Sequence, residues 1–336
     1  MKVSNVIKYL LSAALAGVLL YFSFKGVQWK EFWTELEHCN WEFVLLEMLA
    51  AVFAVVFRSL RWRCLIKPFD PDMKALTTFN CVNIGYLANF AFPRIGEVVR
   101  CGFLSRRSKA SHPGESDKVI SFDKAVGTVL LSRTWDILSV FILIALLLAF
   151  RWKQFGTFFT HSMLEPLQQK LDISLGWIAL AVLAAGTIFC VAVHHFRERN
   201  RFCGKIHGFI KGIGQGFISF LHMKGKFRFL LYTVLMWLTY WTMSMCVIWA
   251  VPQATALGWP DALFVCLVGS VAWMVPVPGG FGAYHFLVAL ALSNVYGLSW
   301  DSGMLCATLN HESQAVMMVI AGIISYIVEI TRKNRI

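Results

Sequence analysis

Along this chain the apolar positions gather into long runs rather than stripes. The longest cover residues 6–24, 42–66, 126–150, 175–193, 229–251 and 307–330. Each is about as long as an α-helix needs to cross roughly 30 Å of hydrocarbon. The pattern predicts six transmembrane helices. Residues 9–24 follow Lys2 and Lys8 as a secretory signal core would, but FKGVQWKEFW comes next with no small-residue cleavage site. The run is therefore read as a retained first helix.

Two further apolar segments, 75–104 and 261–297, are each interrupted near the middle. Pro93 and Gly96 break the first; VPVPGGFG (275–282), with Pro278, Gly279, Gly280 and Gly282, breaks the second. Such breaks free backbone groups that hydrocarbon cannot satisfy, so they belong inside protein or around a wet cavity. At about 1.5 Å per residue, each segment is long enough for a helical hairpin that enters the membrane and returns. Two ordinary short transmembrane helices per segment are the alternative.

Charge orients these elements. Of 31 Lys and Arg, 23 lie in the N-terminus, 58–74, 105–125, 194–228 and the C-terminal RKNR, and five lie in 25–41 and 151–174. The positive-inside rule puts the first set, with both termini, at the cytoplasmic face. One hairpin then opens from inside and the other from outside. The fold expected is an all-α polytopic membrane protein, with six full transmembrane helices and two oppositely inserted re-entrant hairpins arranged as an inverted repeat. It forms a single integral membrane domain over 1–336. Residues 42–150 make one half, 229–330 the other, and 151–228 the connection. Within the connection, 205–221 places Ile206, Phe209, Ile213, Phe217 and Phe220 on one helical face, as suits an amphipathic helix on the inner leaflet.

Composition agrees. The chain is 57% hydrophobic and 15% charged, against about 25% charged in soluble domains. A net charge of +12 raises the question of nucleic acid. The basic residues crowd the ends of apolar runs, however, where they meet anionic headgroups, so the expected partners are membrane lipids and no nucleic acid. Self-association is left open, as monomer or homo-oligomer. The nine cysteines form no CxxC pair and read as small buried hydrophobes. No phosphate-binding loop or GxSxG is present, and no cofactor is expected.

Three arginines fall outside the loops: Arg94, Arg100 and Arg133. A charge in the bilayer costs from about 2.5 to more than 10 kcal/mol, so each needs a reason. Glu97 and Arg100 share a helix face, as do Arg133 and Asp136 in LSRTWDILSV. With the backbone N–H groups near Gly96 they suit a phosphate, to which a planar guanidinium donates two hydrogen bonds. Structural salt bridges are the bland alternative. Asn83 and Asn89 line the cavity or satisfy freed carbonyls, and Arg58 and Arg61 read as headgroup anchors at the inner end of 42–66, with an entry funnel as the alternative. Among the later residues, His285, His311 and Glu312 are permitted zinc ligands, but their spacing matches no strong metal motif, so no metal is expected. A titrating His/Glu proton relay is the sharper reading of those three.

NIGYLANFAFPRIGEVVR, then SRTWDIL, then VPVPGGFGAY resemble the transmembrane region of lysylphosphatidylglycerol synthases, which also occurs as stand-alone flippase-like membrane proteins. Asn89, Pro93, Arg94, Gly96, Glu97 and Arg100 match the first family pattern. Arg133 and Asp136 match the second, and Pro276, Pro278, Gly279, Gly280 and Gly282 the third. His285 stands where the family commonly has Glu. The resemblance covers nearly the whole chain, without the aminoacyl-transferase domain of the full-length synthases. It implies translocation of an anionic or phosphate-bearing lipid across the cytoplasmic membrane, without lysine transfer. Headgroup binding would fall to Arg94, Glu97, Arg100, Arg133, Asp136 and Asn89. A membrane-embedded lipid transferase or phosphatase, and a non-catalytic scaffold of envelope assembly, are the rivals.

Overall fold

The structure, a computed structural model, describes residues 3–115, 118–151, 180, 184, 187, 191, 195 and 223–333. Its described residues are mostly helical, with no strand among them. In chain order the helices are α1 (Val3–Phe24), α2 (Trp29–Glu37), α3 (Trp41–Ile66), α4 (Ala75–Ala91), α5 (Gly96–Ser111) and α6 (Phe122–Arg151). After the connection come α7 (Lys226–Ala250), α8 (Trp259–Ala272), α9 (Ala283–Tyr296) and α10 (Trp300–Lys333). The expected span at 175–193, apart from isolated helical positions, and the amphipathic segment 205–221 lie outside the described residues.

Helices α3, α6, α7 and α10 are long and apolar enough to cross a membrane. A fifth span is formed if α1 and α2 count as one, bent by 82°. The bend follows from Gly26, whose φ of +93° is easy only without a Cβ. Sequence reading treated residues 25–41 as loop and so missed α2. That helix buries Phe32 and exposes Trp29 and Trp33, a division suited to the bilayer interface.

By contact, the chain divides into two compact units: Met1–Ser132 with Gly225–Ile336, and Arg133–Lys224. In the first, α3 and α7 run antiparallel. The Asn40 N–H donates to Ala250 O at 2.9 Å, joining the start of one to the end of the other. Ala51 and Ala54 meet Met243 halfway along, and small residues allow such close helix approach. At the other end Arg61 lies over the Phe229 ring at 5.7 Å. Trp62 Nε1–H donates to Thr128 Oγ1 at 2.9 Å, which ties the first turns of α6 to α3. A core from α2, α3 and α7–α10 includes Phe32, Val44, Val247, Val265, Val288 and Leu305.

Each interrupted segment forms a helical hairpin. Its helices have 17 and 16 residues in the first case, 14 and 14 in the second. At about 1.5 Å per residue, none alone matches roughly 30 Å of hydrocarbon. The first hairpin closes on two glycines: a Cβ on Gly96 would lie 2.0 Å from Gly85 O, and one on Gly85 would lie 2.8 Å from Gly96 O. In the second, Gly269 leaves room for the Tyr284 ring. The α10 helix lies against both, touching α4 at Gly322 and α9 at Gly303. In element order, α3–hairpin–α6 and α7–hairpin–α10 repeat one another.

In the second unit, the α6 portion beyond Ser132 exposes Phe141, Ile142, Leu146 and Phe150, a face that suits lipid. In the same portion Arg133 and Asp136 pair, with Nη1 3.4 Å from Oδ2.

Candidate functional site

The first break begins where Phe92 turns extended (φ −145°, ψ 121°), as the residue before a proline prefers. Arg94 follows with φ +61° and is the one non-glycine in the left-handed region among the described residues. A long side chain there costs about 1–2 kcal/mol, an expense that marks positions where geometry is imposed. The Arg94 guanidinium donates to the carbonyl of Met274, in the break of the other hairpin. Beside it the rings of Phe90 and Phe281 meet edge to face at 6.1 Å. Gly279, at φ +58°, admits Phe90 because a Cβ there would stand 2.8 Å from that ring. The two breaks therefore touch. Across them lies α1, with Ser12 donating to Pro276 O and Leu19 and Leu20 against Gly282.

Pro93, Gly96, Pro278, Gly279, Gly280 and Gly282 thus all stand in or beside this seam. The Gly96 N–H, which the sequence offered to an anion, is instead taken by Asn89 Oδ1 at 2.7 Å. Asn89 therefore caps α5, satisfying one of the donors a helix start leaves open. Glu97 sits in the first turn of α5, where the helix dipole favours an acid. Arg100, one turn on, is buried, with its guanidinium 5.0 Å above Trp62. Asn83 is buried and donates to Phe79 O.

Arg58 and Arg61 correct the expectation of headgroup anchors. Both are buried in protein, Arg61 completely. Arg61 Nη2 donates to Ser132 Oγ at 2.7 Å, and Arg58 Nε donates to Tyr240 Oη at 3.1 Å. Position near a helix end suggested solvent, but the facing ring of Phe229 and the first turns of α6 cover Arg61, and Tyr240 packs on Arg58. Sequence reading also passed over Glu47. It lies inside the apolar run 42–66, is fully buried, and accepts a hydrogen bond from Ser313. A carboxylate within such a run was signal enough.

A second cluster stands beside the second break. His285 of α9 and His311 and Glu312 of α10 offer three ligand atoms within 4.8 Å of one another. Glu312 Oε1 lies 3.0 Å from His311 Nδ1 and 3.4 Å from His285 Nε2. The far nitrogen of His311, Nε2, lies 2.8 Å from Gly279 O and donates to it. Trp273 stacks on the His311 ring, and Phe281 and Tyr284 meet it on other sides. Both imidazoles are buried while Glu312 is partly open. The three residues singled out in sequence are therefore brought together, with a geometry able to hold a proton or a metal ion.

A family model, lysylphosphatidylglycerol synthase TM region, matches residues 7–322, a range that includes both hairpins and the His/Glu cluster. Comparisons with curated proteins and with solved structures give no match.

Proposed function

Because this chain belongs to the lysylphosphatidylglycerol synthase TM region family, a family of multi-pass membrane proteins that handle lipid, we propose that it moves an anionic or phosphate-bearing lipid between leaflets. The cargo class is a phospholipid or a polyprenyl-phosphate-linked lipid, and the membrane is the cytoplasmic one, with both termini on the cytoplasmic side.

The observation that carries this reading is the seam where the two hairpin breaks touch, with Arg94 reaching from one break to a carbonyl of the other. A carbonyl is a weak partner for a guanidinium compared with a phosphate, which accepts two charge-assisted hydrogen bonds from the planar fork. An arriving headgroup therefore competes well for Arg94, and taking it loosens one tie between the hairpins. Arg100 adds positive charge on α5 and Glu97 balances it, leaving an anion favoured. Acyl chains stay in lipid while the headgroup follows the polar breaks. Translocation needs no bond to be made or broken, so no catalytic residue is required.

The test is transport of a labelled anionic phospholipid in liposomes holding Arg94→Ala, Arg100→Ala or, separately, Arg133→Ala protein. The expected outcome is at least a tenfold loss of flipping for Arg94→Ala, with insertion and yield like the parent. Flipping at the parent rate by the Arg94 variant overturns the reading. The His285–His311–Glu312 cluster favours a second reading, a lipid-modifying enzyme; recovering the lipid with its mass changed would support that instead.

A further inference from the structure

The His311 ring raises a question of valence that the transport reading leaves unanswered. Its Nε2 faces a carbonyl oxygen, which only accepts, so Nε2 carries the hydrogen. In a neutral imidazole the lone pair then sits on Nδ1, pointing at Glu312 Oε1 from 3.0 Å. Two lone pairs at that distance repel unless a cation lies between them. His285 Nε2 approaches the same oxygen from α9 at 3.4 Å, and its Nδ1 has no hydrogen-bond partner.

We propose that His285 Nε2, His311 Nδ1 and Glu312 Oε1 bind a divalent transition-metal ion of the zinc class. Three points of geometry carry this. A tetrahedral zinc ion with bonds of about 2.0–2.1 Å sets its ligand atoms about 3.3 Å apart; the two separations to Glu312 lie on either side of that value, and all three atoms lie within 4.8 Å, so the two imidazoles need only close on a bound ion. Two imidazoles and one carboxylate are an established zinc ligand set, with a fourth position left for water or another ligand. The donation from His311 Nε2–H to Gly279 O is the outer-shell hydrogen bond that metal-bound histidines make, and it fixes the tautomer that frees Nδ1 for the metal.

Surroundings suit such an ion. Trp273, Phe281 and Tyr284 wall the His311 ring, while partly open Glu312 leaves one side for entry. A bound ion would join α9 to α10 and, through Gly279, fix the turn at Pro278–Gly280 that meets the first hairpin. The motif spacing hid this because His285 comes from a different helix, and only the fold sets it beside the HE pair. The proposal does not depend on the lipid-transport reading.

The test uses full-length protein in nanodiscs, washed with chelator and titrated with Zn²⁺ or Co²⁺ alone. One equivalent should bind, and Co²⁺ should give the visible bands of a tetrahedral site with nitrogen and oxygen ligands. His311→Gln and Glu312→Gln should weaken binding by more than the roughly 10–100-fold that loss of an outer-shell partner costs, while His112→Gln binds as the parent does. Zinc should also raise the parent's melting temperature in proportion to the logarithm of its concentration. If the variants fail to fold, the parent's Co²⁺ spectrum still decides. No uptake by the parent overturns the proposal and leaves a protonated His311 paired with Glu312. A thiolate charge-transfer band, or uptake unchanged in both variants, assigns the metal elsewhere and overturns it equally.

Discussion

Single atoms decide the first hairpin. With Gly85 and Gly96 backbone to backbone, a methyl group at either has nowhere to go. Gly96→Ala is expected to lose about 3 kcal/mol, the upper range for overpacking, and Gly85→Ala somewhat less; thermal melting in detergent reads both. Arg61 offers a sharper test because the sequence and the structure disagree about it. As a headgroup anchor it would behave like any exposed basic residue. As a buried donor to Ser132, packed on Phe229, its loss as Arg61→Ala should cost about 2 kcal/mol or more. Melting temperatures of Arg61→Ala and Lys67→Ala, compared side by side, separate the two roles. Residue type and spacing were enough to pick out Arg94, Gly96, Pro278 and the HE pair. They were not enough to show that Asn89 caps α5, which needs the chain to fold back across the Pro93 break, or that Glu47 is buried against Ser313, which lies far away in sequence.

At the scale of elements, length and apolarity made most helices legible. The runs at 42–66, 126–150, 229–251 and 307–330 correspond to α3, α6, α7 and α10, the last beginning earlier, at Trp300. Both hairpins also follow from where proline and glycine interrupt apolar sequence. The first runs further than 75–104, since α5 continues to Ser111. Helix α2 escaped because nine residues between basic positions look like a loop; only the turn at Gly26 and the burial of Phe32 give it a reason to form. Pairing of the hairpins was beyond reach for sequence, which shows two breaks but not that they touch. Cysteines placed at Phe90 and Phe281, in a background lacking the native ones, should therefore be joined by a short bifunctional reagent. At the corner between α2 and α3, burial pushes the Cys39 thiol up to about 11. At pH 8 its thiolate fraction is then about a thousandth, so maleimide should label it only after unfolding.

For the whole molecule, two descriptions of the chain coincide. Positive charge is concentrated in one set of loops, and the order helix, hairpin, helix occurs in each half. A reporter fused at either end should read as cytoplasmic; a reading outside at both ends would reverse the direction of each hairpin. Family membership and apolar spans make the molecule a multi-pass membrane protein. The claim that it carries lipid rests on the Arg94 guanidinium held at the seam between broken helices. That claim is tested most directly by unmodified protein in sealed liposomes, following how fast a labelled anionic phospholipid changes leaflet and weighing the lipid afterwards. The account predicts exchange well above protein-free vesicles, faster for anionic than for zwitterionic lipid, with no change in mass. Exchange no faster than in empty vesicles, or equal for both headgroups, would contradict it.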